Sequence, residues 1–161
     1  MSLERQAPVA SVAWYKLADL IARGEREKAL SVYRLLAHSF DDKAYALQLE
    51  GDVLLALSDD RSKEKYFQAA FLYKDEKRWI DAVSLAEHLL VLYPKDLQLM
   101  LFVSYCYAAL DMINKVTYYV DLFDKNCKQQ GVAIDSFQEE WELIKKLSKQ
   151  KKWLADLLAK F

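Results

Sequence analysis

The chain has very little glycine or proline: three Gly and two Pro occur in 161 residues. Because tight hairpin turns depend on glycine and related turn residues, this scarcity leaves few places where β-strands could be joined. Apolar residues make up 53% of the chain, which argues against disorder. The composition therefore favours one all-α domain, with helices joined by short polar turns.

Cysteine is scarce as well, and no stretch is apolar enough to predict a membrane-spanning helix. Cys106 and Cys127 lack the close spacing of a metal or redox motif. We interpret them as reduced thiols in the core of a cytoplasmic protein. The formal net charge of −1 excludes the general excess of positive charge that is typical of nucleic-acid-binding proteins.

Motifs for metal binding and catalysis are also lacking. His38 and His88 have no Cys, His or carboxylate at a ligand spacing on their own predicted helices, so we expect no metal site. No glycine-rich loop follows a strand, which leaves no phosphate-binding motif. Cys106 or a serine could act as a nucleophile only beside a histidine, and no local signature marks such a pair. We expect no cofactor, no catalytic residues and no enzymatic activity.

Pairs of acidic residues recur at the predicted helix starts. A carboxylate at that position can cap the first turn and complements the helix dipole, which is a simpler role than general acid–base catalysis. These pairs are Asp41 and Asp42, Asp59 and Asp60, and Glu139 and Glu140.

A helical spacing recurs along the chain, and its clearest copy spans residues 66–94. Two tyrosines flank two small residues on one predicted helix, and two alanines on the next helix precede a proline. In order, these residues are Tyr66, Ala69, Ala70, Tyr73, Ala82, Ala86 and Pro94. Small residues allow antiparallel helices to approach closely, while the tyrosines fill the space beside them. This stretch resembles a tetratricopeptide repeat.

Weaker copies of the spacing occur within residues 11–128. Their first helices contain Trp14, Leu17, Ala18 and Ile21; Leu47, Glu50, Gly51 and Leu54; and Met100, Val103, Ser104 and Tyr107. The resemblance implies a solenoid of antiparallel helix hairpins, with about eight helices in all. It also implies that residues 133–161 form a capping helical region.

The regular spacing of the repeat is interrupted between residues 58 and 65. A helix beginning near Lys63 follows the Leu47 helix after only half a repeat, which leaves no room for a separate partner. Either the Tyr66 helix packs as the second helix of the Leu47 unit, or an unpaired helix interrupts the array. We favour the first alternative, because it buries every apolar face without a gap.

The resemblance implies a binding surface too. In tetratricopeptide proteins the first helix of each unit lines a concave groove. Carried over by position, the groove residues are Tyr15, Asp19, Gln48, Asp52, Phe67, Phe71, Leu101 and Tyr105. Such a surface suits an amphipathic helix or extended peptide with apolar anchors, and its acidic end suits a basic flank. The alternative is that Phe67, Phe71 and Leu101 belong to the core.

We therefore predict a non-enzymatic protein–protein interaction module, and a small chaperone or scaffold is one specific form of it. Some tetratricopeptide proteins bind the acidic tail of a chaperone through Lys, Arg and Asn on the groove face. Tyr15, Asp19, Gln48 and Asp52 stand there instead, so we do not expect that partner.

The end of the chain is basic, and this leaves a second hypothesis open. Residues 141–161 contain six lysines and only two acidic residues, Glu142 and Asp156. A capping helix needs such a polar outer side, which is the simpler interpretation. A lysine-rich amphipathic segment could instead contact anionic lipid, so a membrane-associated adaptor is the alternative function. We expect no nucleic acid here, because arginine is absent and the aromatic residues share the apolar stripe.

Overall fold

The structure is a computed structural model that describes the backbone from residue 6 and the side chains from residue 12, both to residue 161. The described residues form nine α-helices, one 3-10 turn (Ile134–Phe137) and no β-strand, which confirms the all-α prediction. The helices are α1 (Gln6–Ala22), α2 (Arg26–Ala37), α3 (Lys43–Ala56), α4 (Arg61–Asp75), α5 (Trp79–Leu92), α6 (Leu97–Ala109), α7 (Ile113–Gln130), α8 (Gln138–Ser148) and α9 (Lys152–Leu158).

The chain divides into two compact units, with the division between Ala69 and Ala70. We call them the N-terminal unit and the C-terminal unit. Within the described part of the chain, no helix combines the length and the apolar composition needed to cross a membrane.

The core of the N-terminal unit lies among α1, α2 and α3. On α2, residues 29, 30, 33 and 36 share one face at helical spacing and are buried, while the intervening positions are mostly exposed. The Tyr33 hydroxyl donates a hydrogen bond to the backbone carbonyl of Ala46 on α3. At the start of α3, the Asp42 carboxylate accepts from the Tyr45 N–H at 3.0 Å, which confirms Asp42 as a cap.

The helix of Tyr66 packs directly on α3 within the N-terminal unit. Tyr66 is buried with its ring over Gly51, where an added Cβ would lie only 2.7 Å from two ring carbons. The Tyr66 hydroxyl donates to an Asp52 carboxylate oxygen at 2.6 Å, and Lys65 Nζ lies 3.3 Å from a Glu50 carboxylate oxygen. The first part of α4 therefore packs against α3.

One turn geometry ends five of the helices. A residue in the left-handed region follows the helix, and the next N–H donates to the carbonyl five residues before it. The left-handed residues are Gly24, Ser58, Lys77, Asp111 and Gly131. Positions 24 and 58 are 34 residues apart, and so are positions 77 and 111. The two pairs are separated by the shorter interval in which the sequence spacing slips.

α6 is the central helix of the C-terminal unit, where it contacts α5, α7 and α8. Ten of its residues are buried, which fits a helix that is apolar on all sides: Leu97, Leu99, Met100, Leu101, Phe102, Val103, Ser104, Cys106, Tyr107 and Ala108. The Asp96 side chain caps its first turn by accepting from the Leu99 N–H at 3.1 Å.

The last two helices bury their apolar stripes against the rest of the C-terminal unit. Trp141 on α8 meets Phe123 on α7 with ring centroids 5.8 Å apart, and Leu154 and Leu157 on α9 are buried. α8 contacts α6, and α9 contacts α7.

Lys151, the residue before α9, forms hydrogen bonds at the end of α6. Its side chain is only 17% exposed, and Nζ donates to the Ala108 carbonyl at 2.8 Å and to Asp111 Oδ1 at 2.7 Å. The Ala108 carbonyl also accepts from the Asp111 N–H at 3.2 Å, and a cation beside it complements the negative end of the helix dipole. The hydrogen bond from Lys151 holds the pKa of Asp111 below its usual range.

We predict that Gly51→Ala lowers the free energy of unfolding by about 1–3 kcal/mol, because the added methyl group collides with the buried Tyr66 ring. Alanine has the higher helix propensity, so the expected loss has the opposite sign to that intrinsic preference. Denaturant unfolding followed by circular dichroism measures it. In a Tyr66→Leu background the same change should cost much less, and an equal cost in both backgrounds would contradict this packing.

We predict that Lys151→Met lowers the free energy of unfolding by about 1–3 kcal/mol, because it removes a charged donor from the end of α6. Lys152→Met is the matched control: Lys152 is exposed, so its loss should change stability by less than about 0.5 kcal/mol. The contribution of Asp111 is present at neutral pH and is lost as the pH falls through its lowered pKa. Equal effects of the two substitutions would contradict the capping role.

Candidate functional site

The eight predicted groove residues are distributed over both units, and the structure brings three of them together. Phe71, Leu101 and Tyr105 line one cleft in the C-terminal unit. The other five lie in the N-terminal unit: Tyr15, Asp19, Gln48, Asp52 and Phe67.

The residues of the N-terminal unit make separate local contacts. Tyr15 is 79% exposed, and Asp19 on α1 forms an ion pair with Arg23, which directly follows the end of that helix. Asp52 accepts the hydrogen bond from Tyr66, while Gln48 and Phe67 are half-buried. A shared groove for these five residues stays a prediction.

The cleft has a volume of about 260 Å³ and three helices form its walls. The end of α4 contributes Phe71 and Lys74, α6 contributes Gln98, Leu101, Phe102 and Tyr105, and α8 contributes Glu139, Glu140 and Leu143. Positions 71, 105 and 139 are successive steps of 34 residues, and the three helices place them around one cavity.

The apolar side chains divide into a buried floor and an accessible edge. Leu101 and Phe102 are 1% and 8% exposed, whereas Phe71 and Leu143 are 37% and 41% exposed. Phe71 meets Phe102 edge-on at 5.1 Å between ring centroids. Leu101 therefore belongs to the core and also floors the cleft, while Phe71 keeps part of its ring available for contact.

Aromatic packing holds Tyr105 in place at the cleft. Its ring meets Trp79 at 5.9 Å between centroids, and the residue is half-buried. Burial raises the pKa of the Tyr105 phenol, with a further contribution from the Asp75 carboxylate, so the hydroxyl stays protonated at neutral pH. Tyr105 can thus offer both a ring face and a hydrogen-bonding group to a ligand.

Polar groups surround the apolar part of the cleft. Lys74 Nζ lies 5.3 Å from the Phe71 ring centroid and 3.4 Å from an Asp75 carboxylate oxygen. On the α8 side, Glu140 accepts from the Gln98 side-chain amide at 3.2 Å, and Glu139 is exposed. The arrangement combines a small apolar recess with charged groups at its edge.

Sequence reasoning missed the α8 wall of the cleft. Glu139 and Glu140 lie in the first turn of α8, where they suit the helix dipole as predicted, but they also line the cavity. One signal was available, because a further step of 34 residues from Tyr105 leads to Glu139.

The candidate nucleophile Cys106 is deeply buried beneath this region. Burial raises the pKa of its thiol to about 12, an effect that Lys74 only partly offsets. At neutral pH the group is therefore a thiol and a poor nucleophile. Burial also raises the pKa of Cys127. Across the residues with a described position, no group of three or more His, Cys, Asp or Glu side chains is placed to hold a metal ion.

Comparison with known proteins finds no protein family that matches the chain, and no curated protein or solved structure similar to it.

We predict that neither cysteine reacts with iodoacetamide in the folded protein at mildly alkaline pH, because both thiols are buried and have raised pKa values. Both should react once a denaturant is added. Mass spectrometry of the labelled protein with and without denaturant measures this. Rapid labelling of Cys106 in the folded protein would contradict the burial and would reopen its use as a nucleophile.

Proposed function

We propose that this chain is a non-enzymatic protein-interaction module, and that the cleft of the C-terminal unit holds a peptide or helix of a partner. The observation that supports it most is the convergence of Phe71, Tyr105 and Leu143, three partly exposed apolar side chains from three helices, on one cavity. Partly exposed aromatic and aliphatic groups in a recess are typical anchor sites for a partner's side chain.

The size of the cleft fits a side-chain anchor. Its volume of about 260 Å³ is close to the lower limit of the ~300–1,000 Å³ that is typical of sites for drug-sized ligands. A protein partner needs only one or two apolar side chains in such a recess, because the rest of its contact surface lies outside.

We also propose a tetratricopeptide-like solenoid arrangement of the helices. The paired left-handed turns, at positions 24 and 58 and at positions 77 and 111, recur at the 34-residue period of that family. Phe71 and Tyr105 stand at the groove positions that the resemblance assigns. A small cytoplasmic chaperone or scaffold is the specific form of this function that we favour.

The membrane-associated adaptor receives less support from the geometry. Trp141, Ile144, Leu154 and Leu157 are buried in the unit, so most of the apolar stripe of the basic segment already has protein contacts, while Phe161 is 43% exposed. An amphipathic segment needs a free apolar face to enter a lipid surface.

We predict that Phe71→Glu and Tyr105→Glu weaken the binding of peptides selected on the wild-type protein from a phage-displayed random library. The loss should be at least about thirtyfold, the factor that corresponds to the ~2 kcal/mol of an anchor residue. Fluorescence anisotropy with the selected peptides measures it. Leu143→Glu on the opposite wall should act in the same direction.

Ile80→Glu is the matched control, because Ile80 is 61% exposed in the same unit and does not line the cleft. Circular dichroism must show the wild-type helix content for every variant used. Unchanged binding by the folded Phe71 and Leu143 variants, or a library that yields no peptide, would refute the proposal.

A further inference from the structure

We propose that the segment bound in the cleft is cationic and amphipathic: an apolar anchor side chain with lysine or arginine about one helical turn away. This inference rests on the proposed function and adds the chemistry of the partner. It comes from the charges at the cleft and on the surface next to it.

The charged groups at the cleft are mostly acidic. Among the nine described residues that line it, Lys74 is the one basic residue, against Glu139 and Glu140. Lys74 already has a carboxylate partner in Asp75, whose side chain is 67% exposed at the same end of the cleft. Glu140 accepts a hydrogen bond from the amide of Gln98, which is a neutral donor and leaves the negative charge in place.

The acidic character continues beyond the cleft around the first half of α8, before the lysines of its last turn. A second, shallower concavity shares Glu139, Glu140 and Leu143 with the cleft, and its further charged residues are Asp135, Glu142 and Lys146. Glu142 forms an ion pair with Lys145 at 3.2 Å. A segment that leaves the apolar recess toward the start of α8 therefore passes a surface in which carboxylates outnumber ammonium groups.

The two features specify where each part of the partner lies. An apolar side chain can contact Phe71 and Leu143, which form the accessible edge of the recess. In a helical partner, a residue three or four positions from that anchor lies on the same face and can reach Glu139 or Glu140. Lysine or arginine at that position would gain an opposite charge, whereas an acidic residue would be repelled.

The helix dipole offers a competing explanation, because acidic residues at the start of α8 stabilise that helix by themselves. The two explanations differ in a measurable way. If the dipole is the whole reason, neutralising Glu139 and Glu140 changes stability but leaves the charge preference of the cleft unaltered.

Two synthetic fluorescein-labelled peptides test the inference. They have the same length, the same helix-forming apolar residues and the same spacing, and differ in carrying lysine or glutamate at the polar positions that flank the anchor. We expect the wild-type protein to bind the lysine peptide at least about tenfold more tightly, since several exposed charge pairs each contribute modestly. The preference should shrink as sodium chloride is added.

The double variant Glu139→Gln and Glu140→Gln should weaken the lysine peptide by about three- to tenfold and should not weaken the glutamate peptide. Asp121→Asn is the matched control: Asp121 is exposed on α7 in the same unit and does not line the cleft, so its change should leave both affinities unaltered.

The other outcomes overturn the inference in distinguishable ways. If both peptides bind equally well and Phe71→Glu abolishes the binding of both, the charge preference is refuted and the proposed function is retained. If neither peptide binds, this partner chemistry is refuted. The proposed function is tested separately, by the peptides selected from the random library. Self-association of the protein that Phe71→Glu abolishes in analytical ultracentrifugation would place a second copy in the cleft instead.

Discussion

Small residues are buried within the helices of this chain, where they allow neighbouring helices to pack closely. Six alanines are fully buried: Ala29, Ala44, Ala69, Ala82, Ala86 and Ala108. At Gly51 even a methyl group would not fit, because the Tyr66 ring occupies the space that a Cβ would need. Close approach brings the large aromatic and aliphatic side chains beside these points into contact, and this packing stabilises each unit.

The cleft follows from the way α6 is packed. α5, α7 and α8 contact this helix, and its buried residues leave Tyr105 partly exposed on the side where the end of α4 and α8 form walls. Phe71 on α4 and Leu143 on α8 line the cleft from these walls, and both are too exposed to belong to the core. These partly exposed apolar side chains are the contact that we propose for a partner.

Features set by local interactions could be predicted from the sequence, and features set by distant contacts could not. The all-α class, the cap at Asp42 and the helix ends at Gly24 and Gly131 depend on neighbouring residues. The role of Lys151 could not be predicted, because the Ala108 carbonyl that accepts its hydrogen bond lies 43 residues away in the sequence. The position of Glu139 beside the cleft likewise depends on α8 packing against α6.

The central claim is that the recess formed by α4, α6 and α8 is where a partner peptide binds. Two-dimensional NMR of the isotope-labelled protein, titrated with a peptide selected on it, tests this most directly. The account predicts that the largest chemical-shift changes fall on Phe71, Leu101, Tyr105 and Leu143 and on their neighbours in space. Changes concentrated on α9, or on the N-terminal unit with the cleft signals unmoved, would contradict it.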